Sequence, residues 1–168
     1  MAQQHEFRVR TLWTGAAEGV TADYASYSRE YAMEIDGKPT LKGSADPAFR
    51  GDSGMHNPED LLVAALSACH LLSYLALCAR AGIRVVAYQD AATGTMKLAD
   101  GKMRFTEVTL NPTVRIQRGD DAAKAQSLHH QAHALCFIAN SVNFPVRNAP
   151  TVTEADEAAS PTTESGSD

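Results

Sequence analysis

At 168 residues with 44% hydrophobic side chains, the chain is long enough for one domain with a real core and too short for two ordinary ones. The formal charge of -5 is concentrated beyond Arg147, where Glu154, Asp156, Glu157, Glu164 and Asp168 face no Lys or Arg, leaving 15 acidic against 15 basic residues before it. A body so balanced has no field to gather nucleic acid or an anionic membrane, and Met1 to Arg10 lacks the apolar run of a secretory signal, so a cytoplasmic protein is expected.

Phe7, Val9, Thr11 and Trp13 alternate with Arg8, Arg10 and Leu12, the period of a strand with one buried face. Tyr31, Met33 and Ile35 repeat it before Asp36-Gly37, a hairpin dipeptide, and Thr40 to Gly43 returns as the next strand, so the N-terminal third reads as antiparallel sheet. Ser44 to His56 is a loop rich in Gly, Asp, Ser and Pro. Asn57 then caps a helix, Pro58 opens it with a preset φ, and Glu59 and Asp60 sit where the helix dipole favours negative charge.

That helix is expected to run to about Ala81 with Gly82 ending it, and from Leu61 to Ala79 it has no Asp, Glu, Lys or Arg. Ser67, His70, Ser73 and several alanines make it weak as a membrane span, so a central helix enclosed by sheet or by a second subunit is preferred. Val85 to Leu98 and Met103 to Gln117 flank Asp100-Gly101 as two long hairpin strands, with a bulge expected between Phe105 and Val108. Gly119 and Asp120 introduce a second helix through about Asn140, with Ala125, Leu128, Ala132 and Leu135 at helical spacing. Pro145 and Pro150 restrict the next segment to an edge strand or extended chain, and from Glu154 onward an acidic, Ser/Thr/Pro-rich tail is expected to be disordered.

Three cysteines, an odd number in a reducing compartment, do not make a disulfide framework. Taken singly, Cys69 and Cys136 read most simply as small buried hydrophobes, and Cys78 is assigned to packing. The text around Cys69 says more. Asn57-Pro58-Glu59-Asp60-Leu61-Leu62, then Ala65 and Ser67-Ala68-Cys69, resembles the OsmC/Ohr family of organic hydroperoxide-resistance proteins over roughly residues 5 to 153.

The resemblance implies a single OsmC-like domain over residues 1–153, of α+β class, with antiparallel sheets wrapped around two central helices in an intertwined homodimer. It implies a thiol peroxidase in which Cys69 attacks an organic hydroperoxide and Cys136 resolves the product, with a dithiol reductant, as in lipoyl-dependent relatives, and no cofactor or metal. Arg50 occupies the place of the family's loop arginine, with Arg29 in reserve on the face of Tyr31 and Met33, and Glu59 would hold Arg50 by a bidentate salt bridge.

The chemistry asks for such a set: the thiol must ionise and the departing oxygen must be stabilised, and one guanidinium serves both needs. Burial of Cys69 among Leu62, Leu66 and Leu72 would raise its pKa, which Arg50 must offset, and an apolar cavity of those residues with Phe137 would favour organic tails. Ten residues of helix place Glu59 about 15 Å from Cys69 along the axis, so either the Arg50 loop bridges that gap or a second chain supplies the Arg-Glu pair. His70 and Phe137 follow the two cysteines where the family commonly has an aromatic and a proline, and these departures bear on substrate preference.

Other chemistries stay open on the residues alone. His129, His133 and Cys136 form one helical stripe that can bind zinc, with His70 or Cys69 completing four ligands. A Cys-His hydrolase with Cys69 as nucleophile leaves Cys136 unexplained, and a non-catalytic dimeric binding module of the same fold predicts no hydroperoxide consumption.

Overall fold

The computed structural model describes residues 4–155, so most of the expected tail lies outside the described residues. Chain contacts divide it into two compact units, one ending at Leu62 and one beginning at Val63.

The first unit carries a three-stranded antiparallel sheet, β1 (Arg10–Trp13), β2 (Tyr31–Glu34) and β3 (Leu41–Gly43), in that order. The alternation from Phe7 is thus used only over its last four residues, and Phe7 is 90% exposed. The β2–β3 turn needs a positive φ only at Gly37 and closes through the Lys38 N–H to the Ile35 carbonyl. After β3 the chain folds into a tight loop: Asp46 accepts the Ala48 N–H, a 3-10 turn covers Pro47–Phe49, and Arg50 ends it with a left-handed φ of 66°. A Cβ on Gly51 would lie 1.6 Å from the Ala45 carbonyl oxygen, so only glycine lets the loop double back there.

Helix α1 spans Pro58–Arg80. Its start is a reciprocal cap, the Asn57 Oδ1 accepting the Asp60 N–H at 2.7 Å while the Asp60 carboxylate accepts the Asn57 N–H at 3.4 Å. Its end is a Schellman arrangement: Gly82 takes φ 73°, and the Ile83 N–H reaches the Cys78 carbonyl at 2.9 Å.

The two long strands expected after α1 are four. They are β4 (Val85–Asp90), β5 (Thr93–Ala99), β6 (Lys102–Leu110) and β7 (Pro112–Ile116). The breaks coincide because Asp90 accepts the Asn111 N–H and the Asn111 side chain donates to the Ala91 carbonyl, turning both arms of the hairpin into different sheets at one level. Asp100 and Gly101 both take positive φ at the hairpin tip. The bulge falls as expected: Thr95 pairs with Glu107 and Met96 with Phe105, leaving Thr106 as the extra residue.

Helix α2 covers Ala122–Leu135, capped by Asp121 accepting the Lys124 N–H. It stops five residues before Asn140, because Cys136 turns to an extended conformation and Asn140 folds back to donate to the Ala134 carbonyl. Ala125, Leu128 and Ala132 are buried as the helical spacing requires, whereas Leu135 is exposed. Strands β8 (Val146–Asn148) and β9 (Thr151–Glu154) then join as edges, parallel to β6 and β7. The sheets of this unit are therefore mixed rather than antiparallel, and Glu154 belongs to a strand rather than to the tail.

The core of the second unit has two clusters. Tyr74, Cys78, Val114, Ile116 and Leu128 form one, and Leu66, Val108 and Leu110 the other. A Cβ on Gly94 would lie 2.7 Å from Phe105 and Val63, both packed around the second cluster. Gly94→Ala is expected to cost about 1–3 kcal/mol by overpacking beside the bulge, read as a lower urea midpoint at unchanged slope.

Candidate active site

Cys69 lies half-buried in the middle of α1, and Cys136, 1% exposed, lies at the C-terminal cap of α2. Sixty-seven positions apart in sequence, the two thiols are close enough for Cys69 to bear on the ionisation of Cys136, and both are free. Burial, and then the neighbouring Cys69 sulfur, push the Cys136 thiol above its ordinary range, against the opposing donation of the Ala139 N–H to its sulfur at 3.4 Å. Cys78 is buried against Tyr74, and burial raises its pKa as well, consistent with packing.

Beside the thiols lies a polar cluster that residue spacing did not reveal. His70 Nε2 stands 3.0 Å from His129 Nδ1, the rings 5.3 Å apart and near-parallel, and Tyr74 stacks on His129 at 3.8 Å. Asn148, from β8, points its side-chain nitrogen at His70 Nε2 (3.2 Å) and at the His129 carbonyl (3.5 Å). A carbonyl only accepts, so this nitrogen donates to both. His70 Nε2 is therefore an acceptor, and His129 carries its proton on Nδ1. One helical turn earlier, Ser67 donates to Asp90 at 2.6 Å.

Both imidazoles are held low, to about 4: His70 by burial, opposed by Asp90 and reinforced by His133, and His129 by burial and by His70. The stripe His129, His133, Cys136 does not converge on an ion, since His129 is spent on His70; among the described residues no group of three or more His, Cys, Asp or Glu is placed to hold a metal.

In the first unit, the Arg50 guanidinium is exposed and donates to the Ala25 carbonyl at 3.4 Å, while Glu59 is half-buried. Among the described residues neither forms an ion pair, so the bidentate bridge is not made in the single chain. Arg29 precedes β2 instead of lying in it, and is clamped: it stacks on Tyr27 at 3.8 Å and Tyr24 at 4.7 Å and donates to both their carbonyls. The expected apolar cavity is only partly formed, because Leu66 is fully buried but Leu72 is 66% and Phe137 81% exposed. An open cleft of about 750 Å³ instead runs along His133, Ala139, Phe144 and Arg147.

A family model described as OsmC-like protein matches residues 51–149, more than half of the chain. The chain belongs to the OsmC-like protein family. Its fold agrees with that of an OsmC-like protein of unknown function from Vibrio cholerae, 32% identical, with a TM-score of 0.81 over 88% of this chain and 100% of that one. An organic hydroperoxide resistance protein from Elizabethkingia anophelis shares the fold at 19% identity (TM-score 0.67; 92% and 100% covered), as does the organic hydroperoxide resistance protein OhrB of Bacillus subtilis at 17% (0.60; 89% and 98%). Among curated proteins, the uncharacterized protein YmaD of Bacillus subtilis is 24% identical over 89 residues, 51% of this chain and 59% of that protein.

The two histidines make the stability of this OsmC-like protein depend on acid. Unfolded imidazoles take protons near pH 6.5 and the folded pair only near 4, so the unfolded state binds more protons in between. Their contribution is whole above pH 6.5 and is lost as pH falls toward 4, on the order of a few kcal/mol. Melting temperature is expected to hold steady between pH 7 and 8 and to drop steeply between 6.5 and 4, with His70→Phe flattening the drop.

Proposed function

We propose that this chain is a thiol peroxidase that reduces organic hydroperoxides in the cytoplasm, with Cys69 as the attacking sulfur and Cys136 as the resolving one. The observation that carries the reading is the meeting of these two distant sulfurs in unequal surroundings. Cys136, buried and held protonated, is a poor first nucleophile, whereas half-buried Cys69 can be reached by a peroxide.

The Cys69 thiolate attacks the terminal oxygen of ROOH, the O–O bond breaks, and the departing alkoxide takes a proton to leave as ROH. Cys69 is then a sulfenic acid, having lost two electrons. Cys136 condenses with it, expelling water and forming the disulfide before further oxidation. A dithiol, for which a lipoyl-type reductant is the candidate, returns both thiols by exchange and leaves as a cyclic disulfide.

Arg50 is the proposed activator, with Glu59 as its holder once substrate or a second chain brings them together. Its single long hydrogen bond leaves it free to move, unlike the clamped Arg29. A homodimer is part of the reading: by length and composition α1 could cross a membrane, yet Ser67 and His70 tie it to the protein, and only 22% of its most apolar stretch is buried in the single chain. A second copy over that face would cover Leu72 and narrow the site for an organic tail.

In a thiol-coupled assay with an alkyl hydroperoxide, Cys69→Ser is expected to abolish turnover and Cys136→Ser to allow about one round before inactivation. Arg50→Ala is expected to slow the peroxide step by about 10²–10³. Unchanged turnover in Cys69→Ser would remove the assignment.

A further inference from the structure

We propose that His70, held by His129 and Asn148, is a positioning residue for the thiol pair: it pins α2 across α1 at the level where Cys136 meets Cys69. The proposal deepens the two-cysteine reading above and rests on it. It comes from the layout of two contacts. On α1, Cys69 and His70 are consecutive, so their side chains diverge by 100° around a helix about 10–12 Å across. On α2 and its cap, their partners His129 and Cys136 are seven residues apart, about 10 Å along the axis.

Both contacts are made at once. That is possible only if α2 crosses α1 steeply, with its span from His129 to Cys136 matching the gap between the two α1 side chains. Two points then define the crossing, and one of them is the imidazole bond. Without it α2 can pivot or slide, and the sulfur 10 Å away along α2 is displaced with it.

The pin is built to hold. Asn148 donates to His70 Nε2 and to the His129 carbonyl, so β8 ties the ring on α1 to the backbone of α2. Tyr74 covers the other face of His129. Asn148 is half-buried, and His70, Tyr74 and His129 are at most 1% exposed, so water competes little for the imidazole pair. A hydrogen bond in such a site has one strongly preferred geometry, and it passes that geometry to the thiols.

The test measures thiol proximity directly. Equilibration with oxidised dithiothreitol transfers two electrons and two protons from Cys69 and Cys136 to the cyclic disulfide, which opens to the dithiol as the protein disulfide forms. The equilibrium constant reports how well the thiols are placed. His70→Phe keeps a ring of similar size and removes the bond; the constant is expected to fall about tenfold, near 30 mV for this two-electron couple. His70→Gln, which keeps a hydrogen-bonding atom, is expected to recover part of the loss.

Asn148→Ala, on a surface strand, is expected to lower the constant about threefold and serves if His70→Phe does not fold. A constant within twofold of wild type in either folded variant overturns the proposal. No peroxide enters the measurement, so the two readings fail separately. A wild type that forms the disulfide yet consumes no hydroperoxide sinks the peroxidase reading alone, and an active wild type with an unchanged His70→Phe constant sinks the positioning role alone.

Discussion

One turn of α1 places three groups with polar or sulfur chemistry, Ser67, Cys69 and His70, inside a stretch from Leu61 to Ala79 without charged residues, and each finds a partner. Ser67 takes Asp90 on β4, His70 takes His129 on α2 and Asn148 on β8, and Cys69 takes Cys136 at the end of α2. Losing one of these partners in a buried setting would cost about 1–3 kcal/mol. Asp90 carries the constraint further, since its second oxygen holds the Asn111 N–H and thereby the point where the hairpin divides between two sheets.

At the same turn two similar thiols stand in different surroundings. Both lie beside the same cluster, but Cys136 is sealed by the chain reversal after α2 and Cys69 is not. Under the proposed peroxidase reading, the protonated sulfur would keep its hydrogen until it is needed to expel water from a sulfenic acid, and the reachable one would meet the oxidant first. In that reading their order of use would follow from depth, without any difference in residue type.

Much of the frame was legible because its signals are local. Asn57-Pro58 and Gly82 bound α1, Asp100-Gly101 makes the hairpin tip, and a change of inward phase marks the bulge at Thr106. What was not legible depends on distant partners. Nothing near Val85 or Gln117 says that each long strand is two, because the break is made by Asp90 holding Asn111 from 21 positions away. The edge strands were expected from Pro145 and Pro150, but their parallel direction is set by β6 and β7. For the site, the two cysteines stood out through the resemblance around Asn57 to Cys69. The histidines did not: helical spacing groups His129 with His133 and Cys136, whereas His129 is in fact paired with His70, 59 positions earlier, through an arrangement that only Asn148 completes.

The choice between two arginines turns on what each would have to give up. Arg29 is stacked on two tyrosines and bound to two carbonyls, so moving its guanidinium would break four contacts. Arg50 gives up one long hydrogen bond. Its backbone, in contrast, is tightly held: a left-handed residue at the end of a 3-10 turn, flanked by a glycine pressed against Ala45 and by the Asp46 cap. Its Cα is thus fixed while its side chain has little to give up, which suits the activating role proposed for it. The sequence departs from local backbone preference at Arg50, and the surrounding loop is shaped to tolerate that departure, a setting that favours Arg50 over Arg29 within the proposed peroxidase reading.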